Sequence, residues 1–185
     1  MTQRGDGIDI PTLLSLPLLN SAFYETLRLY VDVLITRELK TNLTLDRHLL
    51  QKNDLVMAPS YLGHHDQTFW REPGVHVWYA ERFLKHDSST GKDVFSTSWA
   101  AGKFFPFGGG PHICPGRVFA KQEVLAAVAT FLLTCELEVV EFVGEDGQGK
   151  GRGGAGFPKV KRQYAGNGVV SMSGDVRVRV RRKSQ

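Results

Sequence analysis

The stretch from Phe104 to Arg117, called the cysteine loop below, constrains this chain most, because it combines consecutive glycines, prolines and one cysteine. It reads Phe-Phe-Pro-Phe-Gly-Gly-Gly-Pro-His-Ile-Cys-Pro-Gly-Arg, and an apolar run with helical spacing follows at once. Glycines permit left-handed or crowded backbone, so the loop can approach a bulky group closely. Pro115 suits the first turn of a helix, which would place Cys114 at a helix N-terminus, where a thiolate is favoured. Such a thiolate is either a metal ligand or a nucleophile.

The composition fits one domain of 185 residues, of which 42% are apolar. No apolar run approaches the ~18 residues of a membrane-spanning helix. With 23 Lys and Arg against 19 Asp and Glu, the chain is too mildly basic to indicate a nucleic-acid partner. Cys114 and Cys135 predict reduced thiols and not a disulfide framework. The Val/Arg alternation over Asp175–Arg182 predicts a solvated edge strand and not a nucleic-acid arm.

Hydrophobic periodicity predicts helices and short strands around the cysteine loop. A short helix is expected over Ile10–Ser15, and a longer one begins near Pro17 with a predicted buried stripe of Leu16, Leu19, Phe23 and Leu27. A helix follows the cysteine loop to about Thr134. The other predicted elements are a strand over Val31–Ile35, two short strands within Leu43–Val56, one or two helical turns over Pro59–His65, and strands over Glu136–Phe142 and Asp175–Arg182. Residues 144–156 are glycine-rich and charged, which predicts a flexible loop.

Three short motifs occur in a defined order and spacing along these predicted elements. The cysteine loop contains Phe107-x-x-Gly110-x-x-x-Cys114-x-Gly116 with the basic His112 inside it, a helix carries Glu25-Thr-Leu-Arg28, and Ala80-Glu-Arg82-Phe lies between the two. Together they resemble the cytochrome P-450 superfamily of haem-thiolate enzymes, whose third motif has proline where this chain has Ala80. The resemblance extends from about Ile10 to Arg182. It implies a mainly α fold with small β-sheets (α+β), in which residues 1–185 are the C-terminal part of one domain, truncated at its N-terminal side.

The resemblance also implies roles for individual residues. Cys114 is expected to be the axial thiolate on the iron of haem b (iron protoporphyrin IX), and so both the metal ligand and the catalytic residue. The other implied haem-binding residues are Phe107, Gly110, His112, Gly116 and Arg37, with His112 and Arg37 donating to the haem propionates. Glu25, Arg28 and Arg82 are implied to form a buried triad that holds the helix against the stretch before Cys114. His64-His65-Asp66 is interpreted as a structural turn and not a metal cluster, because the family has a similar segment in such a turn.

Two mostly apolar segments are implied to face the substrate. They are Val31, Asp32, Val33, Leu34 and Ile35 after the Glu-x-x-Arg helix, and a hairpin tip at Gly168–Met172 represented by Val169 and Val170. Their character suits a lipid-like or terpenoid substrate. Asp32 either contacts a polar substrate group or faces solvent, and the sequence leaves both open. Tyr30-Val31-Asp32 and Tyr164-x-Gly166-x-Gly168-Val are similar to the sterol 7α-hydroxylase and prostacyclin synthase branch and its fungal relatives.

The activity implied by the resemblance is monooxygenation, which inserts one atom of O₂ into an apolar substrate with electrons from an NADPH-dependent reductase. Lys103, Arg117 and Lys121 are either contacts of that reductase or ordinary solvated charges. The family's oxygen-activating helix has no counterpart in this sequence, so we expect an incomplete catalytic unit. Two alternatives stay open: a same-fold isomerase or dehydratase that needs no reductase, and an inactive truncated product. A full-length parent is expected at the cytosolic face of the endoplasmic reticulum membrane.

Overall fold

Small antiparallel sheets alternate with helices along the chain. The computed structural model describes residues 8–151, 159–161 and 167–183. The helices in these ranges are α1 (Ile10–Ser15), α2 (Pro17–Tyr30), α3 (Ser60–His64) and α4 (Arg117–Thr134), with short 3-10 helices at Ser98–Ala100 and Gly110–His112. The strands are β1 (Val31–Glu38), β2 (Leu43–Leu45), β3 (His48–Leu50), β4 (Leu55–Pro59), β5 (Leu84–Asp87), β6 (Lys92–Phe95), β7 (Cys135–Val143), β8 (Lys159–Val160), β9 (Asn167–Val169), β10 (Met172–Ser173) and β11 (Asp175–Arg182).

Strand β1 is the middle of a three-stranded antiparallel sheet with the order β4-β1-β9. Leu34 lies opposite Pro59 of β4, and Val31 lies opposite Val169 of β9. The remaining strands pair in twos, as β2-β3, β5-β6, β10-β8 and β11-β7. Four helices and small antiparallel sheets in the described ranges are compatible with the predicted α+β class.

The buried face of α2 carries polar side chains, contrary to the predicted apolar stripe. Leu16, the first residue of that stripe, is 37% exposed, and the other three are only half-buried. Ser21, Glu25 and Arg28 are buried in their place. The Ser21 hydroxyl accepts the Phe83 N–H at 2.9 Å, and such hydrogen bonds offset the cost of burying polar groups. The prediction of a buried apolar stripe was wrong. The spacing of apolar residues cannot show that a polar face will be buried against partners elsewhere in the chain.

Two strand boundaries also differ from the predictions. Strand β1 continues to Glu38, so Arg37 lies inside the strand and not after it. The region Leu43–Val56 contains β2, β3 and the start of β4, where two strands were expected. The additional reversal is a turn between β2 and β3 at Asp46, whose φ is 54°.

Helix α4 begins later than Pro115 predicted. Its first residue is Arg117 and its N-cap is Gly116, so Pro115 and Cys114 precede the helix. The dipole of a helix acts mainly within its first turn. The helix terminus is therefore a weaker stabiliser of a Cys114 thiolate than the sequence suggested.

The described core anchors the start of the cysteine loop. Trp70, Val75, Phe83 and Ala100 are buried together, and Phe104 packs against them. The Phe104 ring centroid lies 4.9 Å from that of Phe83. Aromatic pairs at this separation add roughly 0.5–1.5 kcal/mol beyond the area they bury, so Phe104 is firmly placed.

The terminal arginines lie in a strand pair, as their alternation predicted. Arg179 Nη1 donates to Glu138 Oε2 at 2.8 Å across β11 and β7, and Arg177 contacts Glu141 in the same way. After β7, residues 144–151 fold back, and the Lys150 N–H donates to the Phe142 carbonyl at 2.6 Å. Residues 152–156 lie outside the described ranges, so the flexibility of the glycine-rich loop stays a prediction.

Candidate functional site

A buried ion cluster joins α2 to the segment that follows α3. Glu25 Oε2 accepts Arg28 Nε at 2.7 Å, and Glu25 Oε1 accepts Arg28 Nη2 at 2.9 Å. Arg82 Nε donates to Oε1 at 2.9 Å, and the Tyr79 N–H reaches it at 3.2 Å. Glu25 and Arg28 are 0% exposed and Arg82 is 8% exposed. The structure thus brings the three triad residues together.

The outer donors of this cluster bind backbone carbonyls and not the cysteine loop. Arg28 Nη1 donates to the carbonyl oxygens of His64 and Val75 at 2.9 and 2.8 Å. Arg82 donates to carbonyl oxygens within residues 72–77 through Nη1 and Nη2. Among the described contacts, the cluster holds residues 64–82 against α2. The triad was predicted to hold the helix against the stretch before the cysteine, and none of these contacts reaches that stretch itself.

The cysteine loop closes on itself through its backbone. The Cys114 N–H donates to the Phe107 carbonyl at 2.9 Å. Gly108 and Gly110 have φ values of 77° and 64°, a region that residues with side chains rarely adopt. The Cys114 side chain is exposed. The glycines therefore permit a tight loop that presents its thiol outward.

A cavity of about 920 Å³ lies between this loop, β1 and β9. Cys114, Phe107 and His112 line it from the loop, and Arg37 lines it from β1. Its apolar lining comprises Leu27, Val31, Val33, Leu34, Ile35, Pro106, Phe107 and Val169. The volume lies within the roughly 300–1,000 Å³ of small-molecule and cofactor pockets. The cavity is thus lined by one cysteine, three basic residues (Arg37, Lys40 and His112), the acidic Glu38 and a mostly apolar strand.

Two predicted substrate-facing residues lie away from this cavity. Asp32 is 1% exposed and accepts the Tyr61 N–H at 3.3 Å, so it faces neither the cavity nor solvent. Successive side chains of a strand point to opposite faces, and that of Asp32 points towards α3. Val170 is 8% exposed, and its N–H donates to the Tyr30 carbonyl at 3.0 Å. Both are corrected from substrate contacts to structural residues.

Gly110 and Gly116 are also absent from the cavity lining, although both belong to the predicted haem-binding set. Gly110 is the left-handed residue that opens the 3-10 helix. A Cβ at Gly116 would lie 3.9 Å from the sulfur of Cys114, which is an ordinary contact. Their place in the loop is one of backbone geometry.

The three basic residues predicted as possible reductase contacts have partners within the chain. Lys103 Nζ donates to the Asp66 carboxylate at 2.6 Å, and Arg117 Nη1 donates to the Cys114 carbonyl at 3.0 Å. Lys121 Nζ lies 5.4 Å above the Tyr24 ring, and its partial burial lowers the pKa of its amine. They are therefore more than freely solvated charges. Contact with a reductase stays a prediction.

The residues around Cys114 are suited to a metal ion that is already held in a macrocycle. Within residues 8–151, 159–161 and 167–183, no group of three or more His, Cys, Asp or Glu side chains could hold a metal ion. A cysteine thiolate can serve as the axial ligand of a haem iron, because the porphyrin supplies the ligands in its plane. Arg37 and His112 in the same cavity suit carboxylates. The residues present therefore fit haem.

Comparison with known proteins agrees with this geometry. The cytochrome P-450 family model matches residues 1–164. The chain is 45% identical over 141 residues to the cytochrome P-450 monooxygenase calL of Penicillium decumbens, covering 75% of this chain and 26% of the relative. It is 29% identical over 198 residues to the cytochrome P-450 monooxygenase efuG of Hormonema carpetanum, covering 95% and 33%. It is 32% identical over 150 residues to the cholesterol 7-alpha-monooxygenase of Cricetulus griseus, covering 76% and 29%.

This chain belongs to the cytochrome P-450 family, which confirms the predicted family and implies a haem cofactor. It spans about a quarter to a third of the length of these relatives. The name of the hamster relative agrees with the resemblance to the sterol 7α-hydroxylase branch. Tyr164 and Gly166, which contributed to that resemblance, lie outside the described residues. Of the helices that the structure describes, none has the length and apolar character to cross a membrane.

One lining residue, Leu27, and one contact, between Arg37 and Gly109, were not predicted from the sequence. Leu27 lines the cavity, whereas its spacing on α2 had predicted a place in a buried stripe. Arg37 Nη2 donates to the Gly109 carbonyl at 2.9 Å, which ties β1 to the glycine run. The consecutive glycines signalled a close approach. They could not identify β1 as the neighbour, because these two residues lie 72 positions apart.

Proposed function

We propose that this chain forms the haem-binding wall of a haem-thiolate monooxygenase that oxidises an apolar substrate, with Cys114 as the axial ligand of haem b. The observation that carries the proposal is the single cavity that Cys114 shares with His112, Arg37 and the apolar side of β1. Membership in the cytochrome P-450 family supports it. When bound, a cysteine-ligated haem supplies the oxygen-activating chemistry.

The chain's own residues would bind and orient that group. The hydrogen bond from the Cys114 N–H to the Phe107 carbonyl fixes the backbone that carries the thiol. The Phe107 side chain lines the cavity beside it, where an apolar ring limits access of water. Arg37 is oriented by its bond to Gly109. Together with His112, it would hold the propionates through charge-assisted hydrogen bonds, which are about twice as strong as neutral ones.

The apolar lining supports a lipid-like or terpenoid substrate. Val31, Val33, Leu34 and Ile35 of β1 and Val169 of β9 all line the cavity. Burial of an apolar molecule against such side chains gains about 25 cal/mol for each Å² removed from water. Specificity within this class would then depend on the shape of β1 and β9.

We also propose that the active enzyme contains more polypeptide than these 185 residues. Large apolar side chains of α4 are exposed, among them Phe119 at 67% and Leu133 at 55%. The curated relatives are three to four times as long as their matches to this chain. For the full-length parent we infer electron supply from an NADPH-dependent reductase and a location at the cytosolic face of the endoplasmic reticulum membrane, both from the family.

Carbon-monoxide difference spectroscopy tests the proposal. The chain is reconstituted with haemin, reduced and exposed to carbon monoxide. A Soret band of the thiolate type is expected in the wild-type chain and in Cys135→Ser. It should be absent in Cys114→Ser, because only Cys114 lines the cavity.

The two serine variants are matched, since each removes one of the two free thiols. If the thiolate spectrum survives in Cys114→Ser but disappears in Cys135→Ser, the iron ligand is Cys135 and not Cys114. No thiolate spectrum from the wild-type chain would refute the proposal for this chain.

A further inference from the structure

His64, the last residue of α3, is 0% exposed and contacts both β1 and the cysteine loop. Its Nδ1 lies 3.2 Å from the Val31 carbonyl oxygen on β1. Its Nε2 lies 3.1 Å from the backbone nitrogen of Phe105 in the cysteine loop. A carbonyl can only accept and a backbone N–H can only donate. The two contacts together therefore define a neutral ring with its proton on Nδ1.

The surroundings of His64 favour this neutral form. Burial lowers the pKa of the imidazole to about 4, and the positive charge of Arg28 and the neighbouring His65 add to the effect of burial. The bond to the Val31 carbonyl acts in the opposite direction but is outweighed. At neutral pH the Nε2 lone pair is thus available to the Phe105 N–H.

Three further contacts hold the same turn against the same stretch of chain. Asp66 binds Lys103 Nζ at 2.6 Å. At Gly63, an added Cβ would lie only 2.5 Å from the Lys103 carbonyl oxygen, so the two backbones approach as closely as glycine permits. The His64 ring also lies 5.1 Å from the Phe104 ring. Residues 103–105 are therefore fixed on α3 immediately before the glycine run.

We propose that His64 is a positioning residue, which sets where the cysteine loop begins by accepting the Phe105 N–H on Nε2 while Nδ1–H is anchored on β1. The ring spaces the loop that carries Cys114 from the strand that carries Arg37. The consequence for haem binding rests on the function proposed above, whereas the bridge itself does not.

The bridge also explains how the buried ion cluster reaches the loop. Arg28 Nη1 donates to the His64 carbonyl at 2.9 Å, so the cluster orients the residue whose ring holds Phe105. The Phe105 carbonyl then accepts the Gly108 N–H at 3.0 Å. The predicted hold of the triad on the stretch before Cys114 would thus act through His64.

The tautomer of His64 in the wild-type chain gives the first test. Nitrogen-15 NMR at pH 7 is expected to show a protonated Nδ1 and an unprotonated Nε2. A proton on Nε2 would overturn the proposal, because that nitrogen could no longer accept the Phe105 N–H. This measurement needs no variant and no haem.

Amide hydrogen exchange in His64→Leu gives the second test. Loss of the acceptor from the partly buried Phe105 N–H corresponds to roughly a tenfold change, so exchange at Phe105 should accelerate by about that factor. The Ser96 N–H, which bonds the Phe83 carbonyl in the core, should stay protected and reports an intact fold. The control is His86→Leu, which removes an exposed histidine paired with Asp93. Unchanged protection of Phe105 in folded His64→Leu would refute the proposal.

Haemin titration separates this proposal from the proposed function. The haemin dissociation constant should rise about tenfold in His64→Leu and stay at the wild-type value in His86→Leu. Lost protection of Phe105 with unchanged haemin affinity would refute the positioning role. A wild-type chain without a thiolate spectrum would refute the proposed function, while the tautomer and the Phe105 exchange would still decide whether the bridge exists. If His64→Leu does not fold, the wild-type tautomer decides.

Discussion

A carboxylate as buried as Glu25 is stable only where charged and polar donors surround it. Its oxygens accept from both Arg28 and Arg82 and from the Tyr79 N–H. Two guanidinium groups against one carboxylate leave an excess positive charge, and the carbonyl oxygens of residues 64–77 face it. The cluster is thus complete only as a unit, and each member depends on the others.

Arg28→Ala is expected to lower the free energy of unfolding by about 3–5 kcal/mol, because it removes one partner of a buried ion pair. It also leaves the His64 and Val75 carbonyls without a donor. Urea denaturation followed by Trp fluorescence measures the change. Arg47→Ala, at an exposed turn, is the control and should stay within about 0.5 kcal/mol of the wild-type value. Equal stability of Arg28→Ala and the control would contradict the assignment, and the same loss should abolish haem retention.

At the scale of elements, α3 is a five-residue helix whose position depends on contacts with β1 and the cysteine loop. Asp32 accepts the Tyr61 N–H in its first turn, and the Ser60 hydroxyl accepts the Val33 N–H at 2.8 Å. So short a helix gains little from its own hydrogen bonds. The position of α3 therefore depends on these neighbours. It is most sensitive to added volume at Gly63, where its backbone lies against that of Lys103.

Gly63→Ala is expected to destabilise the chain by about 1–3 kcal/mol, the usual cost of forcing extra volume into a packed site. The new Cβ would lie 2.5 Å from the Lys103 carbonyl oxygen, so α3 and the segment that leads into the cysteine loop would have to separate. Gly109→Ala makes the same change where the backbone is extended (φ −160°) and the nearest contact is an ordinary 4.0 Å. The difference between their urea midpoints is the measurement. Equal midpoints would mean that the close approach at Gly63 has no energetic consequence.

Local pattern predicted some elements well and others not at all. The bounds of α1 and β11 agree with the predictions, because the spacing of their apolar residues matches the period of a helix or a strand. The β5-β6 hairpin was missed, since its sequence from Leu84 to Phe95 is mostly polar and carries no period-2 alternation. The hydrogen-bond partners of Asp32 and His64 could not be predicted from the sequence, for another reason. Their partners lie 29 and 41 residues away, and only the folded topology brings them together.

At the scale of the whole molecule, the sequence shows which residues are apolar, but it does not show which other residues they pack against. The described core lies around Trp70 and Phe83, whereas on α4 only Leu125 is buried. On the β7-β11 pair, Leu137 and Val180 lie opposite each other and are 47% and 49% exposed. Extended apolar surfaces of this kind mark places where further polypeptide or a partner packs. The family resemblance named more residues of the candidate site than periodicity did, because Cys114, His112 and Arg37 all line one cavity.

The stability of the whole molecule should fall as the pH drops from about 6.5 to about 4, because burial holds the pKa of His64 at about 4 against a usual 6.5. In this window the unfolded chain binds a proton at His64 that the folded chain excludes, so acid favours unfolding by up to about 1.4 kcal/mol per pH unit. Asp66 and Asp87 act in a lower window, since their hydrogen bonds lower pKa values that are ordinarily 3.8. Urea denaturation between pH 4 and pH 7 should show a slope that His64→Gln removes and His86→Gln leaves in place. A slope that persists unchanged in His64→Gln would show that His64 is protonated equally in both states, and that its ring does not hold Phe105 as a neutral acceptor.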